Sequence, residues 1–266
     1  MTDETRVPFE ERAAANTPGH WLLARLGKRV LRPGGLRLTR RLLAHADIAG
    51  ADVVELAPGL GRTAIDVIAA HPGSYTGVER DPDAVRLTAR AVGDAGRVVE
   101  ADAAETGLPA ASADLVIGEA MLTMQSERGK HAIVSEAVRL LRPGGRYAIH
   151  ELGLHPDDLD PDVTSALQRD LARTIKVNAR PLTVAEWRAL LEGAGLVVEW
   201  TGSEPMALLQ MRRNLADEGL VGTLRILRNV LRDADARRRV LAMRRLFAAN
   251  EDRLRGVALG ARRPAR

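Results

Sequence analysis

Ala51 to Gly61 reads A-D-V-V-E-L-A-P-G-L-G, an apolar run that ends in an acid and passes into a glycine turn. Val53, Val54 and Leu56 have the character of a short buried parallel strand, with Glu55 near its carboxyl end. Pro58, Gly59 and Gly61 close the run as a tight turn, and Thr63 to Ala70 opens a helix. Glycine serves where backbone must approach a ligand with no Cβ between them. An open α/β sheet binds ligands outside the carboxyl ends of its strands, so a nucleotide-like molecule is expected over this loop.

Two ligand classes can use such a loop. Gly59-x-Gly61-x-x-Ala64 satisfies a dinucleotide fingerprint, with Glu79 about 20 residues on for a ribose. A dinucleotide, however, sets a doubly negative pyrophosphate on the helix N-terminus, and the Glu55 carboxylate opposes it there. S-adenosylmethionine brings a sulfonium and an ammonium group instead, which an acid at this position favours. The acid ahead of the glycines therefore points toward S-adenosylmethionine, with a nicotinamide-dinucleotide oxidoreductase as the alternative.

From Asp52 onward the chain alternates strand and helix. Strands are expected at Tyr75–Glu79, Arg97–Glu100, Asp114–Gly118, Arg146–His150, Leu196–Thr201 and Gly256–Arg262. Helices are expected at Asp83–Val92 and at Ser126–Leu141, the latter with Ile133, Val134, Ala137, Val138 and Leu141 on its buried face. T-V-A-E at Thr183–Glu186 is a capping box that opens a helix over Glu186–Glu192.

Four motifs in this order resemble the class I S-adenosylmethionine-dependent methyltransferases. E-L-A-P-G-L-G resembles their first motif, V-E-R-D-P at Val78–Pro82 their second and A-D-A at Ala101–Ala103 their third. L-L-R-P-G-G at Leu140–Gly145 resembles the turn before the fifth strand, especially in small-molecule enzymes related to ubiquinone and menaquinone C-methyltransferases. The likeness spans roughly residues 50 to 200. It departs from the pattern at Ala57-Pro58, where many members have Cys-Gly or Thr-Gly.

The resemblance implies an α/β, doubly wound, mostly parallel seven-stranded sheet with its last strand antiparallel, and methyl transfer to a small-molecule acceptor. It also implies cofactor contacts at Glu55, Ala57, Pro58, Gly59, Gly61, Glu79, Arg80, Asp102, Ala103, Glu119 and Ala120. Glu79 is expected to accept the ribose hydroxyls, and Asp102 the adenine amino group unless it only caps a turn. Glu119 is either a carboxylate near the sulfonium or acceptor, or a strand-end acid bonded to backbone. His150, with Glu151 beside it, is expected at the same sheet edge, either as a base or as a histidine bonded across strand ends. Glu119 and His150 are the candidate catalytic pair. His150 and His155 lie five apart across a loop, so no metal site is expected.

At 266 residues and 45% apolar composition the chain suits one embellished domain. It has no cysteine, a charged amino-terminal stretch and no apolar run near ~18 residues, so a cytoplasmic protein without a membrane span is expected. Residues 1–50 form an N-terminal helical cap, with helices over Thr17–Val30 and Leu36–Ala46 separated by R-P-G-G at 32–35. His20, Trp21 and Lys28 there either face the pocket or sit on a packing helix. Residues 51–205 and 255–266 make the core. Residues 206–254, with 152–181, are insertions expected to form a lid, the first showing leucines at 220, 224, 227 and 231.

Charge is uneven: residues 51–206 hold 15 basic and 24 acidic groups, while residues 207–266 hold 15 and 6. The basic tail admits an RNA methyltransferase as a further alternative. Aromatic residues are only 3% of the chain, leaving little to stack on exposed bases, and nucleic acid is not the expected partner. Solvated arginine faces are the expected account of the tail, with attraction to an anionic substrate or membrane surface second.

Overall fold

β1 (Asp52–Leu56) is enclosed on every side: β2 (Ser74–Glu79) and β4 (Ala113–Glu119) pair with it in parallel, and helices cover both sheet faces. The structure is a computed structural model that describes residues 7–206, 208–209 and 211–265, with backbone alone at 211–214. The strand order is β3-β2-β1-β4-β5-β8-β7, where β3 is Arg97–Glu100, β5 Leu141–Leu154, β7 Val197–Pro205 and β8 Leu254–Arg262. A two-residue strand, β6 (Leu182–Thr183), pairs with β5 beside this path. The last strand, β8, runs antiparallel between β5 and β7, which makes the sheet the Rossmann-like methyltransferase type.

The chain moves outward from β1 to β3 and then returns to the other side of β1 with β4. That reversal opens a crevice beyond the carboxyl ends of β1 and β4, where such sheets bind ligands. Side chains alternate across the sheet. Val54, Leu56 and Val116 pack with α5 (Glu127–Leu140) and α7 (Val184–Gly193), while Val53, Leu115 and Ile117 pack with α2 (Gly35–Leu43) and α3 (Arg62–Ala69). The helix starts follow local chemistry. Asp81 accepts the Asp83 and Ala84 N–H groups to begin α4 (Pro82–Val92), and Thr183 and Glu186 cap each other's backbone at α7.

A third apolar cluster stands over the carboxyl edge. It joins α1 (Gly19–Arg25), α6 (Pro161–Ile175) and α9 (Ala234–Ala249) through Leu22, Leu23, Leu167, Leu171, Met243 and Phe247. Between β7 and α9 runs α8 (Met211–Arg232), which is broken at Gly219, where φ is 71° and ψ 178°. Among the described residues, no helix is long and apolar enough to cross a membrane.

Some boundaries differ from expectation. β5 continues four residues past His150, so Glu151 lies inside the strand and the segment from 152 begins as sheet. The added pairing with β8 and β6 explains this, since it provides ladder partners that a period-2 pattern cannot foresee. α1 stops at Arg25 rather than running to Val30, because the chain turns at Gly27 with φ 100°.

Candidate cofactor and acceptor site

Glu55 leaves β1 fully buried beneath the glycine turn, with the Tyr75 hydroxyl donating to it at 2.7 Å. Burial pushes its carboxyl up to about 8, the Tyr75 hydrogen bond opposes that, and the Glu119 charge adds to it. The residue after each inner strand is a left-handed alanine: Ala57 (φ 54°) donates its N–H to Val78 O, and Ala120 (φ 54°) to His150 O. Non-glycine residues in this conformation are held there by their surroundings, and these two mark the crevice floor.

Gly59 sits in the turn with its N–H donated to the Glu79 carboxylate at 3.1 Å. The other Glu79 oxygen accepts the Arg80 and Asp81 N–H groups at 2.8 and 3.1 Å. Burial raises this carboxyl as well, against those backbone donors. Asp102 is half-exposed; it accepts the Ala104 N–H at 2.8 Å and lies 3.4 Å from Arg80. Gly61 faces the helices rather than the crevice: with φ 69°, a Cβ there would stand 2.7 Å from that of Ala91 on α4.

The second strand end is organised by a residue outside the motifs. Arg32, from the R-P-G-G segment, is buried and ion-paired with Glu119, and also donates to Thr39 (3.0 Å) and Thr63. Thr63 and Thr39 donate to the same Glu119 carboxylate. Desolvation opposes ionisation of Glu119, but the Arg32 charge and the His150 and Thr39 hydrogen bonds outweigh it and hold the carboxyl down to about 2. The segment reaches this depth because Gly34 lies directly on Gly256 of β8, where a Cβ on either residue would meet backbone or packed side chain.

His150 is placed behind Glu119 and lines no part of the cavity. Gly34 N–H donates to its Nε2 at 3.1 Å, so the ring proton is on Nδ1, 2.9 Å from Glu119 Oε1. Both nitrogens are thereby engaged, and of the two readings open for His150 these contacts are those of a histidine bonded across strand ends. Glu151 is buried too, accepting the N–H groups of Met121, Leu122 and Thr123 and the Thr123 hydroxyl at 2.7 to 3.0 Å.

These strand ends open into one cavity of about 760 Å³. Glu55, Ala57, Pro58, Gly59, Glu79, Arg80, Asp102, Ala103, Glu119 and Ala120 all line it; Gly61 and His150 do not. Its far wall is the cap, including Leu23, Leu171, Ile175, Met206, Met243 and Phe247. His20 and Trp21 line it as well, with ring centroids 5.0 Å apart. Lys28 does not; it is buried against Glu218 of α8 at 3.6 Å. Burial pushes the His20 imidazole down to about 4. Among the described residues, no three His, Asp or Glu side chains gather to hold a metal ion.

Residues 53–145 match the family described as methyltransferase domain. An uncharacterized protein of Haemophilus influenzae is 31% identical over 252 residues, which cover 92% of this chain and 98% of that protein. Two crystal structures share the fold. Haemonchus contortus phosphoethanolamine N-methyltransferase 2, solved with phosphomonomethylethanolamine and S-adenosylhomocysteine, gives TM-score 0.67 at 16% identity over 92% of this chain and 57% of that one. Geranyl diphosphate C-methyltransferase of Streptomyces coelicolor gives TM-score 0.62 at 16% identity over 85% and 77%. With the acid-led glycine turn, the acidic ends of β1 and β2 and this sheet order in agreement, the chain belongs to the class I S-adenosylmethionine-dependent methyltransferases.

Proposed function

We propose that this methyltransferase acts on a small, largely apolar acceptor enclosed between the sheet edge and the helical cap. The observation that carries this reading is the cavity's far wall, where aliphatic and methionine side chains from α1, α6, α9 and β4–β5 converge on the strand ends. S-adenosylmethionine, bound at this edge, supplies an electrophilic methyl group on a positively charged sulfur.

The cofactor's fit rests on the buried acids. Glu55, desolvated and bonded only by a phenol, is placed for the ammonium group of the amino-acid half. Glu79 is placed for the ribose hydroxyls, and Asp102 with the Ala103 amide for the adenine edge. Arg80, Pro58 and Ala57 close the sides of that half-site, and Ala120 the end nearest the acceptor. Glu119 is already neutralised by Arg32, so its role is to fix the floor, with His150 as a positioning residue behind it. His20 is the cavity-facing imidazole, and burial keeps it neutral near pH 7, so its ring nitrogen can accept a hydrogen bond from an acceptor hydroxyl or amine and orient it. The cap excludes water, which leaves alignment of donor and acceptor as the main source of rate. A cytoplasmic place of action fits a chain without cysteine.

The test uses label transfer from methyl-tritiated S-adenosylmethionine into a cell extract. Enzyme-dependent label should partition into organic solvent and should fall with His20→Ala while cofactor affinity holds. Label that stays in water-soluble products would overturn the apolar acceptor.

A further inference from the structure

The outward face of α8 is unusual for a solvated helix. Leu220, Leu224 and Leu231 are 65%, 57% and 67% exposed, Leu227 is also exposed, and the four fall on one stripe because they are spaced four, three and four residues apart. Val221 lies beside them, 72% exposed. The helix is not free to roll this face inward. Just before the break at Gly219, Glu218 accepts the Arg29 and Val30 N–H groups at 2.9 and 2.8 Å and Asp217 that of Leu36 at 3.2 Å, and beyond the break the Asn229 amide donates to Leu26 O at 3.1 Å. Thr223 and Ile226 are buried on the same inner side.

Charge says what the outer face meets. From Gly219 to Arg232 every charged residue is an arginine (Arg225, Arg228 and Arg232), and all three are exposed along the leucine stripe. Arg237, Arg244 and Arg245 are likewise exposed on α9, whose first turn also carries Asp235 paired with Arg238. Two copies of this face brought together would oppose arginine to arginine. An apolar stripe edged by guanidinium groups instead matches an interface where acyl chains lie beneath anionic headgroups.

We propose that α8 docks this enzyme on an anionic lipid surface. The same helix anchors the cavity wall, because Glu218 holds the backbone of Arg29, and Arg29, Leu31 and Leu208 line the cavity. Docking therefore brings an apolar acceptor's site to the phase in which such acceptors dissolve. This goes beyond the methyl-transfer reading and does not depend on it.

Flotation of the purified full chain with vesicles tests the proposal. Binding is expected to equimolar phosphatidylglycerol and phosphatidylcholine, and not to phosphatidylcholine alone. Leu224→Glu with Leu231→Glu should lower the bound fraction about tenfold, as should reversal of Arg225, Arg228 and Arg232 to Glu. Circular dichroism and S-adenosylhomocysteine affinity, unchanged in these surface variants, separate lost docking from lost fold or lost cofactor binding. The proposal is overturned if the native chain ignores anionic vesicles, or if the leucine variants bind as well as it does. It is overturned equally if light scattering shows a dimer that those variants dissociate, since a second copy then covers the face.

Discussion

Glu55 and Glu119 leave neighbouring strands into one crevice, yet their carboxyls are pushed in opposite directions. Glu55 is desolvated with the Tyr75 phenol as its hydrogen-bond donor and the Glu119 charge nearby, whereas Glu119 is desolvated against a guanidinium in direct contact. The signs follow for stability. Glu55 binds its proton more tightly when folded, so its contribution is complete below the unfolded carboxylate range and is lost as pH rises toward about 8. Glu119 behaves in the reverse manner, adding on the order of 3 kcal/mol that disappears as pH falls from ordinary carboxylate values toward about 2. Cofactor binding should expel the Glu55 proton near neutral pH. Calorimetry with S-adenosylhomocysteine in buffers of different ionisation enthalpy should then show proton release that Glu55→Gln abolishes, with affinity rising up to about pH 8 in the native chain alone. Arg32→Ala leaves a buried carboxylate unpaired and should cost about 3–5 kcal/mol in urea unfolding. Arg32→Lys keeps a charge for Glu119 on a shorter, more strongly hydrated side chain, and should recover part of that.

At the level of elements, the crevice is kept open by close packing behind it. Gly61 allows α3 and α4 to touch, so Gly61→Ala adds both left-handed strain and a Cβ collision with Ala91. A loss of about 2–3 kcal/mol is expected, with weaker cofactor binding as the turn shifts. β5 does comparable service on the acceptor side. Its Glu151 gathers four donors from residues 121–123 and so fixes a 3₁₀ turn (Leu122–Met124), which with Met121 forms part of the cavity wall. Glu151→Ala strands those donors and should destabilise the fold by about 3 kcal/mol. Hydrogen exchange should localise the loosening to residues 121–124, and the KM for the acceptor should rise more than that for the cofactor.

Over the whole molecule, two kinds of core coexist. The sheet's two faces are packed by helices that the chain supplies in alternation, while the cap closes over them through a separate cluster of α1, α6 and α9. Arg239 ties that cap together, donating from α9 to the carbonyls of Ala14 and Thr17 in the amino-terminal segment and of Thr174 in α6. A peripheral cluster of this kind opens at lower free energy than central strands. Amide exchange should therefore be faster in α1 and α6 than in β1 and β4. S-adenosylhomocysteine at about 100 times its Kd should add ~2.7 kcal/mol to global unfolding, seen as a raised Tm, whereas a nicotinamide dinucleotide should add nothing. Because Trp21 of α1 lies against the glycine turn, 3.8 Å from where a Gly59 Cβ would stand, exchange in α1 should slow with it.

The order of strands and helices, the acid-led glycine turn and the acidic ends of β1 and β2 were legible in the sequence, because each depends on local patterning: buried β-branched runs, caps and left-handed turns act within a few residues. The partners of the site were not. Arg32 stood as part of a spacer between two helices, and nothing near it signals an ion pair with a residue 87 positions away. Whether His150 was a base or a histidine bonded across strand ends stayed open until Gly34 and Glu119 took its two ring nitrogens. Glu151 was expected at the sheet edge beside His150, but its place inside β5 and its backbone partners at residues 121–123 were not foreseen. Which buried charge meets which donor is fixed only when the sheet edge and the cap are packed together, since desolvation and pairing are properties of surroundings that distant segments supply.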